Sequence, residues 1–318
     1  MVWDHNEEAH EQYMKNLAPI ILFTYNRLEH TKKTVDALRA NIYAKDSVLF
    51  IYSDAPKTEA DALSVQQVRE YLHTVEGFRE VQIIRRDENW GLARNIVDGV
   101  TQVVNRYGKI IVLEDDIVTS RYFLKYMNDA LKIYNDFPKI MNISAYMYPI
   151  ETKNLPETFF LHSGCCWGWA TWKDSWALFE RNPEKLVKIF TQDEIYHFNF
   201  EGRTDFWQQV LDNVSGKLDT WAVFWDAVIF YNQGLSLAPR DSLIRNVGMD
   251  GTGEHCGSTD VYDTQVVDRP VKCFPMTVQE LELARARHRE FFDRENPNLF
   301  RLLVRKWKNG MKKIFERC

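Results

Sequence analysis

Cysteine is scarce in this 318-residue chain. There are five, Cys165, Cys166, Cys256, Cys273 and Cys318, two of them adjacent and none in a C-x-x-C. That pattern offers no disulfide framework and no structural zinc site, and it fits a reducing compartment. No apolar run approaches the roughly 20 residues that a membrane-spanning helix needs. The first residues, MVWDHNEEAHEQYMKN, are acidic and polar, unlike a signal peptide. The expected location is the cytoplasm. Excess positive charge is missing too: 40 Lys and Arg stand against 45 Asp and Glu, a formal net charge of −5. Composition therefore makes no case for a nucleic-acid partner. No G-x-G-x-x-G follows the first apolar run, and no G-x-x-x-x-G-K-[ST] occurs. These absences disfavour dinucleotide-dependent dehydrogenases and P-loop kinases. There is no internal repeat, low-complexity run or obvious linker.

What is present is alternation. Apolar runs at 18–24, 47–54, 81–86, 109–116 and 140–146 read as strands, near-continuous in Val, Ile, Leu and Phe. Between them, 27–41, 59–75, 92–107 and 121–137 have helical spacing, as in Leu28, Thr31, Val35 and Leu38 on one face. Strict β-α-β-α order with apolar strands predicts an α/β fold, a mostly parallel central sheet with helices on both faces. In such sheets ligands bind beyond the carboxyl ends of the strands. After residue 150 the alternation stops. The segment 158–260 is rich in Trp (167, 169, 172, 176, 207, 221 and 225) and turns Gly-rich at 245–257.

Three features carry chemistry. Glu114, Asp115 and Asp116 end the predicted fourth strand. Consecutive carboxylates repel one another, and a divalent cation relieves that repulsion. Oxygen-only ligands suit Mg²⁺ or Mn²⁺ shared with substrate phosphates. Arg27 sits where the first helix begins, and both its charge and the helix N-terminus favour an anion. Asp226 lies in the apolar segment AVFWDAVIFYNQG (222–234), which looks helical. Desolvation there would raise its pKa and make it a better base, unless it is only a structural carboxylate. His255, in the Gly-rich segment, is a further candidate for a phosphate or metal contact; with Cys256 alone it is too little for structural zinc. Most of the Trp residues read as core.

The ordered blocks PIILFTYNR, FIYSDAPK, NWGLARN and KIIVLEDDIVTSRYFLKYMNDAL resemble metal-dependent glycosyltransferases of the GT-A fold, bacterial family-2 type. The succession E-D-D, MNISAYM, GCCWGWATWKDSW, F-W-D and RNVGMDGTGEHCG is also similar to the Golgi N-acetylglucosaminyltransferase that begins complex N-glycans. The resemblance runs from about 17 to 260. It implies a Rossmann-like GT-A domain over 17–276, with a nucleotide-binding half (17–150) and an acceptor-side half (151–276). C-terminal helices and a basic tail would follow at 277–318. It implies that Arg27 approaches the donor diphosphate and Asp54 holds a uracil-type base. Asp116 would ligate Mn²⁺ or Mg²⁺, with Asp115 near the ribose or behind the metal ligand and Glu114 near the donor sugar. Asp226 would be the catalytic base of an inverting displacement. Residues 245–257, with Arg245, would order over the donor. One departure is Ala227, where the similar enzyme continues F-W-D with a second Asp.

The implied reaction moves a sugar from a nucleotide-sugar, a UDP-sugar by preference, to a glycan or lipid-linked saccharide in bacterial surface polysaccharide synthesis. Two other readings stay open: a sugar-1-phosphate nucleotidyltransferase, which would want a Gly-rich basic loop that TYNRLEH lacks, and a non-catalytic sugar- or membrane-binding relative. Residues 299–318 carry seven Lys or Arg against one Glu. Phe300, Leu303, Val304, Trp307, Met311, Ile314 and Phe315 share one helical face there. Such a helix either lies on an anionic membrane, peripheral at the cytoplasmic face, or docks on the domain.

Overall fold

The computed structural model describes residues 11–14, 16–252 and 259–296. Its first half follows the alternation. Strands β1 (Ile20–Thr24), β2 (Val48–Ser53), β3 (Glu80–Arg85) and β4 (Lys109–Glu114) lie parallel in the order β3-β2-β1-β4. Helices α1 (Leu28–Arg39), α2 (Ala62–Leu72) and α3 (Gly91–Tyr107) cross between them. Successive strand side chains point to opposite faces, so two cores form. Ile20, Leu22, Leu49, Ile51, Ile111 and Leu113 pack with Val35 and Leu38 of α1. Ile21, Phe23, Phe50, Tyr52, Ile110 and Val112 pack with Ile96 and Val100 of α3. Helices therefore cover both faces, as the continuous apolar strands require. Helix α3 comes close to the sheet at Gly99, where a Cβ would lie 2.9 Å from both Ile21 and Phe23 side chains. It ends at Gly108, whose φ of +80° suits a residue without Cβ.

The second half continues the same sheet in mixed orientation. The ribbon strand β5 (Ile117–Thr119) precedes helix α4 (Phe123–Ile133) and strand β6 (Ile140–Ser144). Strand β7 (Thr158–Leu161) lies at the far edge, and β8 (Trp169–Trp172) inserts antiparallel between β4 and β6. Short helices follow: α5 (Lys173–Trp176), α6 (Pro183–Ile189), α7 (Gln192–Phe198) and α8 (Phe206–Val214). Helix α9 (Ala222–Tyr231) leads into β9 (Leu235–Pro239), parallel to β6 and antiparallel to β7. The full order is β3-β2-β1-β4-β8-β6-β9-β7. Strand β10 (Ile244–Asn246) pairs antiparallel with β5. Trp169, Trp176, Trp221 and Trp225 form one aromatic cluster, with Trp169 and Trp221 stacked at 5.3 Å. They are core.

The C-terminal helix α10 (Glu282–Glu295) buries Ala284, Phe291 and Phe292 against Met147, Phe159 and Leu161. It shares that core with the sheet. Its apolar face has a partner, so it behaves as part of the domain. The basic segment 299–318 lies outside the described residues. Among the described residues no helix is long and apolar enough to cross a membrane.

Candidate active site

A pocket of about 350 Å³ opens at the carboxyl ends of β1, β2 and β4. Topology places it there: parallel strands bring Thr24, Asp54 and Glu114 to the same edge. Phe23 pairs in register with Glu114, so the first acidic residue is still in the strand and the next two form the turn into β5.

Arg27, just before α1, points across that turn. Its Nη2 donates to Asp116 Oδ2 at 2.8 Å and also contacts Asp115 Oδ1. The Asp115 backbone is fixed from below, its carbonyl accepting from Thr34 Oγ1 at 2.8 Å. One guanidinium faces three carboxylates, and the imbalance shows in their chemistry. Burial first, and then the charges of Asp116 and Asp115, push the Glu114 pKa well above the carboxylate range. Burial also raises Asp115, against the pull of Arg27. Burial disfavours the charge of Arg27, but Asp115 and Asp116 outweigh it and its pKa is raised. Asp115 Oδ2 and Arg27 Nη1 are both buried without a hydrogen-bond partner.

These residues fit a hard divalent cation. The donors are all carboxylate oxygens, one buried acceptor is unused, and the cluster carries surplus negative charge. Among the described residues no three His, Cys, Asp or Glu side chains form a ready cage. Mg²⁺ and Mn²⁺ are commonly held by one or two carboxylates and completed by substrate phosphates.

The β5–β10 ribbon hangs residues 247–250 over this cluster. Val247 N donates to the Asp116 carbonyl at 2.8 Å. Gly248 then passes so close that a Cβ would stand 2.1 Å from Asp116 Oδ2 and 2.9 Å from Arg27 Nη1. His30 Nε2 holds the same segment from α1, 3.3 Å from the Val247 carbonyl and 3.1 Å from Asp250 Oδ2. Neither Gly248 nor the His30–Asp250 pair was singled out from sequence. Their only sequence signal was the glycine content of 245–257.

Arg245 and Asn246 divide as neighbours on a strand do. Asn246 lines the pocket, and its Oδ1 accepts from Gly248 N at 2.8 Å. Arg245 turns outward, 52% exposed, in a two-point ion pair with Asp263 at 2.6 and 2.8 Å. The structure does not bring Arg245 into the pocket. His255 lies outside the described residues.

Asp54 lines the pocket, but both its oxygens are engaged. They accept from Ala55 N, Trp90 N, Gly91 N and Asn89 Nδ2 at 2.9 to 3.3 Å. This carboxylate sits at the N-terminus of α3, where the exposed amides and the helix dipole favour a negative charge. It shapes the turn 89–91 that walls the pocket. Asn26, Lys57 and Asp61 line the same end.

Asp226 is not among the residues lining that pocket. Helix α9 buries Val223, Phe224, Trp225, Ala227, Val228 and Ile229. Asp226 is its one charged residue. Its carboxylate accepts from Gly164 N at 2.7 Å and from Ser163 Oγ at 3.3 Å. Burial pushes its pKa up from 3.8 to about 7, against those two hydrogen bonds. The chain that holds Asp226 continues to Trp167, which lines the pocket and meets Tyr146 edge-on at 4.7 Å. Of the Trp residues from 167 to 176, only Trp167 reaches the pocket.

Residues 20–166 match the model of Glycosyl transferase family 2. That domain makes the chain a glycosyltransferase. The matched span holds Arg27, Asp54, the acidic triplet and Gly164, and it ends before α9 and the β5–β10 ribbon is complete. The chain is also similar to the solved mannosyltransferase PcManGT from Pyrobaculum calidifontis, in complex with GDP-Man and Mn2+. The two share 10% identity over 72% of this chain and 76% of that one, with a TM-score of 0.35. A likeness at that level assigns no residue and no substrate. No curated protein matches the chain. The glycosyltransferase has an α/β architecture with a mostly parallel half that carries its family match, consistent with a GT-A fold.

Proposed function

We propose that the protein is an inverting, divalent-metal-dependent glycosyltransferase that moves a sugar from a nucleotide-sugar to an acceptor hydroxyl. The observation that carries this reading is the under-neutralised Glu114–Asp115–Asp116 cluster, with Arg27 across it, at the strand ends of a family 2 domain. Asp116 and Asp115 would hold Mn²⁺ or Mg²⁺. When bound, the ion supplies Lewis-acid charge to the departing diphosphate. Arg27, at the start of α1, binds the same anion. Asp54 keeps the Asn89–Gly91 turn in shape against the base, and Trp167 borders the donor sugar.

Asp226 acts on the acceptor. Its raised pKa places it near neutrality, where a base is both ionised and able to hold a proton. It takes the proton from an acceptor hydroxyl as that oxygen attacks the anomeric carbon. The new carbon–oxygen bond forms as the bond to the diphosphate breaks, and the electron pair leaves with the phosphate. One displacement inverts the anomeric configuration. We take the donor to be a UDP-sugar and the acceptor a glycan or lipid-linked saccharide of a bacterial surface polysaccharide, reached at the cytoplasmic face of a membrane.

Calorimetry with UDP, with and without Mn²⁺, tests the donor half of this reading. Binding should need the ion and should be lost in Asp116→Ala. Equal UDP affinity in chelator would remove the metal from the account.

A further inference from the structure

Asp226 is held by Ser163 and Gly164, and the structure shows what holds them. His162 N, one residue earlier, donates to Glu280 Oε1 at 2.9 Å. The His162 ring contacts the Gly234 carbonyl through Nδ1 at 2.7 Å. Glu280 comes from the approach to α10 and makes an isolated parallel bridge with Phe160 of β7, where Leu281 N donates to the Phe160 carbonyl at 2.9 Å. Its Oε1 also accepts from Arg285 Nη1 at 3.2 Å. Arg285, with a side chain 8% exposed, donates in turn to Glu201 Oε1 at 2.8 and 3.0 Å and to the His197 carbonyl at 2.7 Å. Glu201 takes a second arginine, Arg289, at 3.2 Å.

The chain is strained where it presents Glu201. Phe200 and Glu201 both have positive φ, +49° and +50°. Two consecutive non-glycine residues in the left-handed region cost free energy, and the surroundings must over-determine them. The surroundings here are Arg285 and Arg289. Gly164 is similarly confined: a Cβ there would come within 3.2 Å of Asn142 Nδ2 and 3.3 Å of Ile229 Cδ1. The segment 162–164 therefore has little freedom on one side and is tied to Glu280 on the other.

We propose that Glu280 and Arg285 are positioning residues for Asp226: Arg285 sets the Glu280 carboxylate, Glu280 fixes the His162 amide, and the Ser163 hydroxyl and Gly164 N–H are thereby aimed at the Asp226 carboxylate. The proposal rests on Asp226 as the base. It extends the support of Asp226 to α10, beyond the family 2 match. A docking role for the same ion pair, joining α10 to the sheet, makes a different prediction. Docking depends on the charge of Glu280, whereas positioning depends on the reach of its oxygen to His162 N.

Two conservative variants separate these. Glu280→Gln keeps the reach and loses the charge. Glu280→Asp keeps the charge and, one methylene shorter, withdraws the oxygen from His162 N. Transfer kinetics and melting temperature are measured for both, with Asp226→Asn in the same assay. Positioning predicts that Glu280→Asp loses at least tenfold in kcat with donor KM within twofold of wild type. Glu280→Gln should lose no more than about threefold, despite an equal or larger drop in melting temperature. The reverse order, with Gln slower than Asp, overturns the proposal, as does wild-type kcat in Glu280→Asp. If Asp226→Asn keeps its turnover, the base reading itself fails. If Asp226→Asn is inactive and the order is reversed, only the positioning role fails.

Discussion

Replacing Asp226 with Asn should make the enzyme inactive and more stable at once. The amide keeps an oxygen for the Gly164 N–H and a polar atom beside the Ser163 hydroxyl, so the geometry at 2.7 and 3.3 Å is preserved. What disappears is the charge. Burial raises the Asp226 pKa from 3.8 to about 7. In the folded chain the group therefore stays protonated where the unfolded chain has already ionised. Its contribution to stability is present below pH 3.8, is lost as pH rises to about 7, and stays lost above that. At about 1.4 kcal/mol per pH unit, the ionised carboxylate costs up to about 4 kcal/mol above pH 7. Asn carries no such cost. Urea melts of wild type and Asp226→Asn at pH 5 and pH 8 read this directly. Glu114 and Asp115 titrate in both proteins and cancel in the comparison. The stability gap should open between those two pH values in favour of Asn. Wild-type turnover should rise with pH to a plateau above about 7, as the base ionises. The variant should be lower by about 10²- to 10⁴-fold, the span of general base catalysis. More than a tenth of wild-type turnover in Asp226→Asn, or lower stability than wild type at pH 8, would refute the reasoning.

Other outcomes follow from the same geometry. Gly248→Ala places a Cβ 2.1 Å from Asp116 Oδ2; it should weaken Mn²⁺-dependent UDP binding at least tenfold by calorimetry, and unchanged affinity would show that the segment yields without cost. Arg245→Ala removes a pair with Asp263 outside the pocket; nucleotide affinity should stay within twofold, and a tenfold loss would mean that the side chain swings inward on binding. Trp169→Ala empties a fully buried site among three other Trp residues; denaturant melts should show a loss of about 3–5 kcal/mol, as for large core aromatics.

Much of this was legible in the chain, for reasons that particular residues make plain. Strands β1, β2 and β4 are buried on both faces, so their apolar runs are nearly continuous, and the helices between them show one apolar stripe. The acidic triplet stood out because three carboxylates interrupt such a run at its carboxyl end. Asp226 stood out because α9 is apolar all round. Strands β7 and β8 were not legible, since four residues give too short a pattern and their partners are distant in sequence. Arg245 and Asn246 illustrate the same limit: in a three-residue strand, nothing local tells which neighbour faces the pocket. Asp54 was visible as a strand-end carboxylate, but its engagement by the Trp90 and Gly91 amides depends on where α3 begins in space. The tie from Arg285 through Glu280 to His162 joins residues with no shared motif.

The central claim is metal-dependent transfer with inversion, and product analysis tests it most directly. The enzyme is incubated with UDP-sugars of known anomeric configuration, a saccharide acceptor panel and Mn²⁺, and the new linkage is read by proton NMR. The account predicts product only with the ion present, silenced by chelator, and with the anomeric configuration opposite to that of the donor. Chelator-resistant transfer, or a product that retains the donor configuration, would contradict it.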